Sequence, residues 1–448
     1  CRGSHLVLLL ALCRGSHLVL LPRDSLFCRF ELLAYPFIIF RRFFHVLYQP
    51  TIAGIIMNNV VIVAAKRTPI GTFGGGLASL TAPELGATAL LEVIKSAKIP
   101  MDLVDEVVMG NVLSAGVGQA PARQAALKAG LSERTPATTV NKVCSSGLKA
   151  VMMGFDQIRL GDAEVVAAGG MESMSNVPYY LPKQRFGSKY GHVEAQDGIV
   201  RDGLWDVYNG YMMGDAAEHC ARECAIGRES QDQYAISSYK RALEAYEMDY
   251  FRDELIKIHV KGRRGETIEI TRDEELDRVN FDKIPGLKPV FQADGTVTAA
   301  NASSINDGAA AVLLMSEDKA AELGIRPLAR IISHANAALK PEWFTTAPSE
   351  AMPKAIEKAG LSIQDMDLFE INEAFSVVAL VNEQKLELDP AKVNIRGGAV
   401  SMGHPIGCSG ARILVTLVHA LQQTGGRYGC AGICNGGGGA SAMVIERL

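Results

Sequence analysis

From residue 59 onward, apolar residues come in short unbroken runs, separated by segments where they return every three or four positions. VVIVAA at 60–65 is β-branched and does not alternate, which predicts a buried strand. Residues 85–98 place apolar side chains on one helical face behind Pro83, and predict a helix. VDEVVMGNV at 104–112 reads as a strand, and 120–129 as a helix closed by Gly130. A strand over 138–143 feeds Cys144. The helix after it stops near Gly161, and AEVVAAGG at 163–170 is again strand-like. Alternation of this kind predicts an α/β layered fold around a mainly parallel sheet.

The rhythm breaks over about 174–296, which is richer in charged and aromatic residues and holds both tryptophans. Helical periodicity runs through 215–246, and a charged stretch follows over 261–283. So long an excursion predicts a folded lid that shapes a binding site. Strand patterns then resume at 309–315, 328–335 and 368–372, with a helix over 349–359. The order of parts after Cys144 recurs after Cys408: a cysteine-serine-glycine turn, a helix, a glycine break, an apolar strand and a double glycine. Two halves of like topology would explain the echo. Chance is the alternative, because such units are common. The expected organisation is a non-core extension over 1–56, one half over 57–320 that includes the lid, and a second over 321–448.

The extension is foreign to the rest. CRGSHLVLL occurs twice, then an arginine-bearing aromatic run, with no lysine and only Asp24 and Glu31 as acids. It reads as an organellar transit peptide, as a membrane-surface segment, or as translated non-coding sequence before a start at Met57. The first makes the protein mitochondrial, the last cytoplasmic.

Composition narrows the function. The chain of 448 residues is 48% hydrophobic and 21% charged, which suits a large core. A net charge of -4 gives no basic field for nucleic acid. No run of 18 apolar residues predicts a membrane span. Nine cysteines, odd in number and unevenly spread, suit a reducing compartment better than a disulfide framework.

The chemistry concentrates in glycine-dense turns. In NKVCSSGLKA at 141–150, Cys144 precedes serines that favour a helix N-cap. Backbone N–H groups and the helix dipole would face its sulfur and lower its pKa. The plainer reading is a small buried hydrophobe. FEINEAF (369–375) places Asn372 at a strand end. GGAVSMGHPIGCSGAR (397–412) places His404 before a helix, and GCAGICNGGGGAS (429–441) places Cys434 at the end of an apolar strand. Ligands gather at such strand ends in open α/β sheets. Singly, a loop histidine, a packed cysteine and a capping asparagine are ordinary, but together they read as a site. His404, Cys408, Cys430 and Cys434 also permit a zinc reading, at a spacing unlike the usual knuckle.

These four blocks, in this order, resemble the signatures of the thiolase family over 58–448. DVYN (206–209) and TVTAANASSINDGAA (296–310) are most similar to its mitochondrial acetoacetyl-CoA branch. The resemblance implies a five-layered α-β-α-β-α fold of two similar halves with an inserted lid. It implies the reversible condensation of two acetyl-CoA to acetoacetyl-CoA and CoA through an acetyl-cysteine. Cys144 would be the nucleophile, His404 its activator and Cys434 the α-proton base. Asn372 would hold a water on the enolate oxygen, and the N–H groups of Cys144 and Gly436 would form an oxyanion hole. Coenzyme A would contact Ser303 and Met213 along its pantetheine and also Tyr239, with Arg278 and Lys283 toward the nucleotide. Potassium would sit at Tyr239, Ala299, Ala300, Ala302 and Val400. A homotetramer or dimer is implied, with no nucleic-acid or membrane partner. The alternatives are a degradative 3-ketoacyl-CoA thiolase of broader chain length and an inactive CoA- or lipid-binding relative. The chain departs from the branch at Met212, Asn280, Thr345 and Arg396, where histidine, an acid, proline and asparagine are usual.

Overall fold

A computed structural model describes residues 57–448 except residue 263. The repeat and arginine-bearing run of 1–56 lie outside the described residues. The first half supplies β1 (Val60–Arg67), β2 (Glu106–Gly110), β3 (Ala137–Val140), β4 (Val165–Ser173) and β5 (Asn306–Ser316), side by side in the order β3-β2-β4-β5-β1. The second supplies β6 (Ala329–Ala338), β7 (Leu368–Ile371), β8 (Tyr428–Asn435) and β9 (Gly439–Arg447), in the order β7-β8-β9-β6. A parallel bridge from Phe369 to Val393 occupies the place beside β7 that β3 takes beside β2. With that bridge counted, both halves have the same strand order and the same pairing directions. The cysteine-serine-glycine echo therefore belongs to a repeated topology.

The sheet is mixed, not mainly parallel as the alternation suggested. β2 pairs in parallel with β3 and β4, and β7 with β8, but every pair involving β1, β5, β6 or β9 is antiparallel. β5 enters after the long excursion and not through a helical crossover, so nothing forces it parallel. β8 and β9 are joined by a tight turn, which requires antiparallel strands. Antiparallel pairing of β1 with β6, Val60 to Ile331 and Ile62 to Ala329, makes the two halves one sheet.

The longer helices are α1 (Ala82–Ala97), α2 (Pro121–Lys128), α3 (Ser146–Leu160), α4 (Met213–Glu223), α5 (Arg228–Glu247), α6 (Pro348–Lys358), α7 (Ser376–Leu386) and α8 (Ile406–Thr424). α3 and α8 lie together in the middle. Val151 and Ile158 of α3 and Ile413 and Leu417 of α8 share one core with Val166 and Val312 of the first half and Ile433 and Ile445 of the second. α1 and α2 cover the opposite face of the first wing, and α6 that of the second. The result is five layers, α-β-α-β-α.

α3 and α8 approach most closely at their first turns. A Cβ on Gly147 would lie 2.8 Å from Ala411 N and 3.0 Å from Gly407 O, and one on Gly410 would lie 2.5 Å from Leu148 N. The glycines of the two echoed motifs are thus where backbone meets backbone. α1 starts earlier than its apolar pattern, because Thr81 and Glu84 form a capping box. The continuous periodicity of 215–246 is two helices, α4 and α5, broken where Ala225 turns left-handed at φ 54°.

Candidate active site

After β3 the chain turns sharply. Asn141 Oδ1 accepts from the Val143 N–H at 3.0 Å, and Val143 is left-handed at φ 48°. That conformation strains a β-branched residue, and it delivers Cys144 to the mouth of α3. The serines act differently from simple caps. Ser146 Oγ accepts from Lys142 N–H (2.8 Å) and lies 2.6 Å from Val143 O, bracing the turn from inside. Ser145 Oγ instead reaches into the second half, 2.9 Å from Asn435 Oδ1 and 3.3 Å from Ile433 O. Lys142 Nζ adds bonds to Ser441 Oγ (2.7 Å) and Asn336 Oδ1 (2.6 Å). The Cys144 turn is therefore bolted to the β8–β9 hairpin on both sides of Cys434.

Cys434 is fully buried near the end of β8, close enough to Cys144 to feel its charge. His404 stands on the other side. Its backbone N–H donates to Asn306 Oδ1 (2.9 Å). Gly403 before it has φ 110°, and any Cβ there would collide with the Asn306 amide. His404 Nδ1 lies 2.6 Å from Ser409 Oγ. Ser409 is also 3.0 Å from Pro405 O, where its proton goes, so its oxygen accepts from Nδ1–H. This network assigns Nε2 as the bare nitrogen. Asn372 Nδ2 faces Nε2 at 3.5 Å, and Asn372 Oδ1 is buried without a partner among the described residues. An orphaned acceptor next to the His404 ring suits a water or ligand donor.

Cys144, His404 and Gly436 line one cavity of about 400 Å³. Its other walls are mostly apolar and include Met213, Phe291, Phe344 and Phe375. Apolar walls set the protonation states. The helix mouth was expected to lower the Cys144 pKa, and the N–H groups of Gly436 and Cys144 do pull it down. Burial outweighs them, the Glu172 charge adds to it, and the thiol is pushed up to about 11. Burial, with Arg412 nearby, pulls His404 down to about 3, so its ring is neutral. Burial and then Cys144 push the Cys434 thiol well above its usual value. Without substrate, both protons stay on sulfur.

Residues 60–318 match the family description "Thiolase, N-terminal domain", and residues 325–447 match "Thiolase, C-terminal domain". The chain is a thiolase by family. A probable acetyl-CoA acetyltransferase of Dictyostelium discoideum is 54% identical over 392 residues, 88% of this chain and 95% of that one. A mitochondrial acetyl-CoA acetyltransferase of Bos taurus is 54% identical over 393 residues, 88% of this chain and 92% of the relative. Among solved structures, an acetyl-CoA acetyltransferase of Bacillus anthracis superposes with a TM-score of 0.86 at 43% identity, over 88% of this chain and 100% of that one. A thiolase of Ascaris suum in complex with coenzyme A gives 0.83 at 44% identity, over 87% and 100%.

The other expected thiolase positions divide. Ser303, Ala299 and Ala302 line the cavity with Met213, and Ser303 Oγ donates to Ala374 O at 2.8 Å. Tyr239 and Val400 are buried together in a cluster beneath α5, off the cavity wall. Arg278 and Lys283 are exposed on the segment after Glu274. Arg396 stacks over Tyr250, 3.6 Å from the ring centroid, and reaches Gln423 Oε1 at 3.3 Å, so this bulky departure is absorbed outside the cavity. Thr345 is fully buried behind Phe344, where its carbonyl accepts from Asn382 Nδ2. The residues of the zinc reading are dispersed. Cys408 lies in the central core and Cys430 in the core beneath α6. Among the described residues no group of three His, Cys, Asp or Glu is placed to hold a metal.

Two buried acids matter beyond the sequence reading, which placed Glu373 beside Asn372 at a strand end without a role and passed over Glu172. Glu373 accepts from Tyr234 Oη (2.9 Å), Ser238 Oγ (2.7 Å), Asn394 Nδ2 (3.1 Å) and Val400 N (3.0 Å), and so holds the loop that leads to His404. Glu172 is the other. The available signal was a carboxylate at the end of an otherwise apolar strand, which is rare without partners.

Proposed function

We propose that this thiolase is an acetyl-CoA C-acetyltransferase that joins two acetyl-CoA into acetoacetyl-CoA and CoA, reversibly, through an acetyl group on Cys144. The observation that carries the reading is the convergence of Cys144, His404 and Gly436 on one apolar cavity, with Cys434 directly behind. In the first half-reaction, Cys144 sulfur attacks the thioester carbon while its proton passes to the bare Nε2 of His404. The C–S bond to CoA breaks, and the CoA thiolate takes that proton. Concerted transfer suits a thiol whose free pKa is high, since a separate thiolate would be costly in this cavity. The N–H groups of Gly436 and Cys144, which already point at the sulfur, hold the carbonyl oxygen as its charge grows.

In the second half-reaction, Cys434 passes its proton to the bare Nε2 of His404 and, as thiolate, removes a proton from the methyl carbon of a second acetyl-CoA. A thiol with so high a pKa yields a strongly basic thiolate, which a weakly acidic C–H next to a thioester requires. Asn372, with its free Oδ1, would orient a water toward the enolate oxygen beside His404. The carbanion attacks the acetyl carbon, the Cys144–acetyl bond breaks, and the released Cys144 thiolate takes back the proton held on His404, which restores both thiols and the neutral ring. CoA would run past Met213 and Ser303 toward Arg278 and Lys283, whose charge suits phosphate. A potassium ion would rest on main-chain carbonyls near Ala299, Ala300 and Ala302, with Tyr239 and Val400 behind. It would supply fixed positive charge that orders this loop against CoA. No donor among the described residues reaches those three carbonyls, so they are available to a cation.

The deciding experiment uses radioactive acetyl-CoA and α-deuterated acetyl-CoA. Cys144→Ala should take up no acetyl label. Cys434→Ala should be labelled but should not exchange α-deuterium with solvent. Label persisting on another residue of the first variant, or normal exchange in the second, overturns these roles. We also propose a tetramer and a mitochondrial address. The first is supported by the large exposed side chains of Phe186 and Tyr190, the second by the names of mitochondrial relatives from Bos taurus and Rattus norvegicus. Sedimentation and fractionation of the full chain test them.

A further inference from the structure

Glu172 closes β4 in the middle of the molecule, fully buried. Its Oε1 accepts from Asn111 Nδ2 (2.7 Å) and Leu113 N (3.1 Å). Its Oε2 accepts from Val112 N (3.0 Å) and Gly407 N (2.9 Å). Four N–H groups on two oxygens saturate a carboxylate, and no cation among the described residues pairs with it. The partners come from the loop after β2 and from the first turn of α8. Val112, Leu113 and Ile406, the neighbour of Gly407, form the apolar wall against which Cys144 packs. Gly407 also follows His404 by three residues. One carboxylate thus ties the backing of the nucleophile to the helix that presents the imidazole.

We propose that Glu172 is a positioning residue of the condensation, holding the wall behind Cys144 and the His404–α8 junction in one register. Its negative charge adds to the burial that holds the proton on Cys144. The inference rests on the reading of Cys144 as the acetylated nucleophile. Burial pushes the Glu172 carboxyl up, to about 7, against the pull of its backbone donors. With four donors and no acceptor around it, we take the ionised form as the working one. The titratable groups that feel it are Cys144 and Cys408, and Asp307 acts on it in turn.

Two substitutions separate its charge from its reach. Glu172→Gln keeps an oxygen for Val112 and Gly407 but removes the charge. Glu172→Asp keeps the charge but cannot span both sets of donors. In Glu172→Gln, the pH profile of Cys144 alkylation by iodoacetamide should move to lower pH, with roughly threefold faster reaction at pH 8. In Glu172→Asp that profile should stay, while kcat falls by about a hundredfold with little change in KM, as a misplaced nucleophile requires. An unmoved alkylation profile in Glu172→Gln, or a kcat within about twofold of the parent in Glu172→Asp, overturns the proposal. So does loss of folded structure by both variants in circular dichroism, which would assign Glu172 to folding alone. Acetyl labelling of the parent Cys144 is run alongside. Its absence would sink the nucleophile reading instead, so the two failures are told apart.

Discussion

Gly147→Ala tests whether catalysis depends on how closely the two central helices meet. The added carbon would sit 2.8 Å from Ala411 N, 3.0 Å from Gly407 O and 3.1 Å from Cys408 O. All three are backbone atoms, so no side chain can rotate away. Comfortable contact begins near ~3.5 Å, so α3 and α8 must part by about 0.5–0.7 Å. Such overpacking costs about 1–3 kcal/mol of stability. Both helices carry the proposed reacting groups at their mouths, Cys144 on one and His404 on the other. A 1 Å error in such geometry is worth about a hundredfold in rate, so half of that predicts a kcat lower by about tenfold. Gly154→Ala, on the same helix, is the control. There the new carbon meets only side-chain methyls, Val166 Cγ1 at 2.9 Å and Leu314 Cδ1 at 3.0 Å. Those can shift, and the gain of about 1 kcal/mol in helix propensity offsets the crowding. Urea unfolding and steady-state thiolysis of acetoacetyl-CoA should show Gly147→Ala impaired in both and Gly154→Ala near the parent in rate. Equal rate losses in the two variants would refute the argument, as would a Gly147→Ala kcat within about twofold of the parent.

Other predictions concern charge and ions. Burial holds His404 down to about 3, below its unfolded value near 6.5. Between those values the unfolded chain binds a proton that the native one refuses, so stability falls as pH drops through that window. His404→Gln removes this contribution. From pH 7 to 5 the parent should lose about 2 kcal/mol more than the variant, read from urea midpoints at each pH; parallel losses would reject the assignment. Replacing potassium by tetramethylammonium should raise KM for acetyl-CoA without changing acetyl labelling of saturated enzyme; an unaltered KM removes the proposed cation. Ser145→Ala should lower kcat by about tenfold, because it releases the Cys144 turn from Asn435; an unchanged rate would make that bolt dispensable.

Much of this was legible in the residues. Unbroken apolar runs marked β1, β4, β5 and β8, since strands buried on both faces carry no alternation to confuse. Glycine-dense turns marked Cys144, His404 and Cys434 as neighbours, and the fold brings them around one cavity, where strand ends and backbone approach closely. Strand direction was not legible, since an apolar run reads the same parallel or antiparallel. The protonation of Cys144 was misjudged because local sequence shows the helix mouth but not the apolar walls that arrive from Met213, Phe291 and Phe344. Glu172, Asn306 and Ser409 were missed for a related reason. Their partners lie far off in sequence or act through a ring nitrogen, and only the folded chain shows which donors they meet.

The repeated topology also divides the labour. The first half brings the Cys144 sulfur, and the second brings Asn372, His404, Cys434 and Gly436. Neither piece holds all the atoms proposed to react, so turnover would double as a gauge of assembly. Cleaved in the short connection between 318 and 325, the fragments would be silent apart and regain activity only as α3 and α8 dock. The enzyme is in this sense a ready-made split reporter, with its signal generated at the seam.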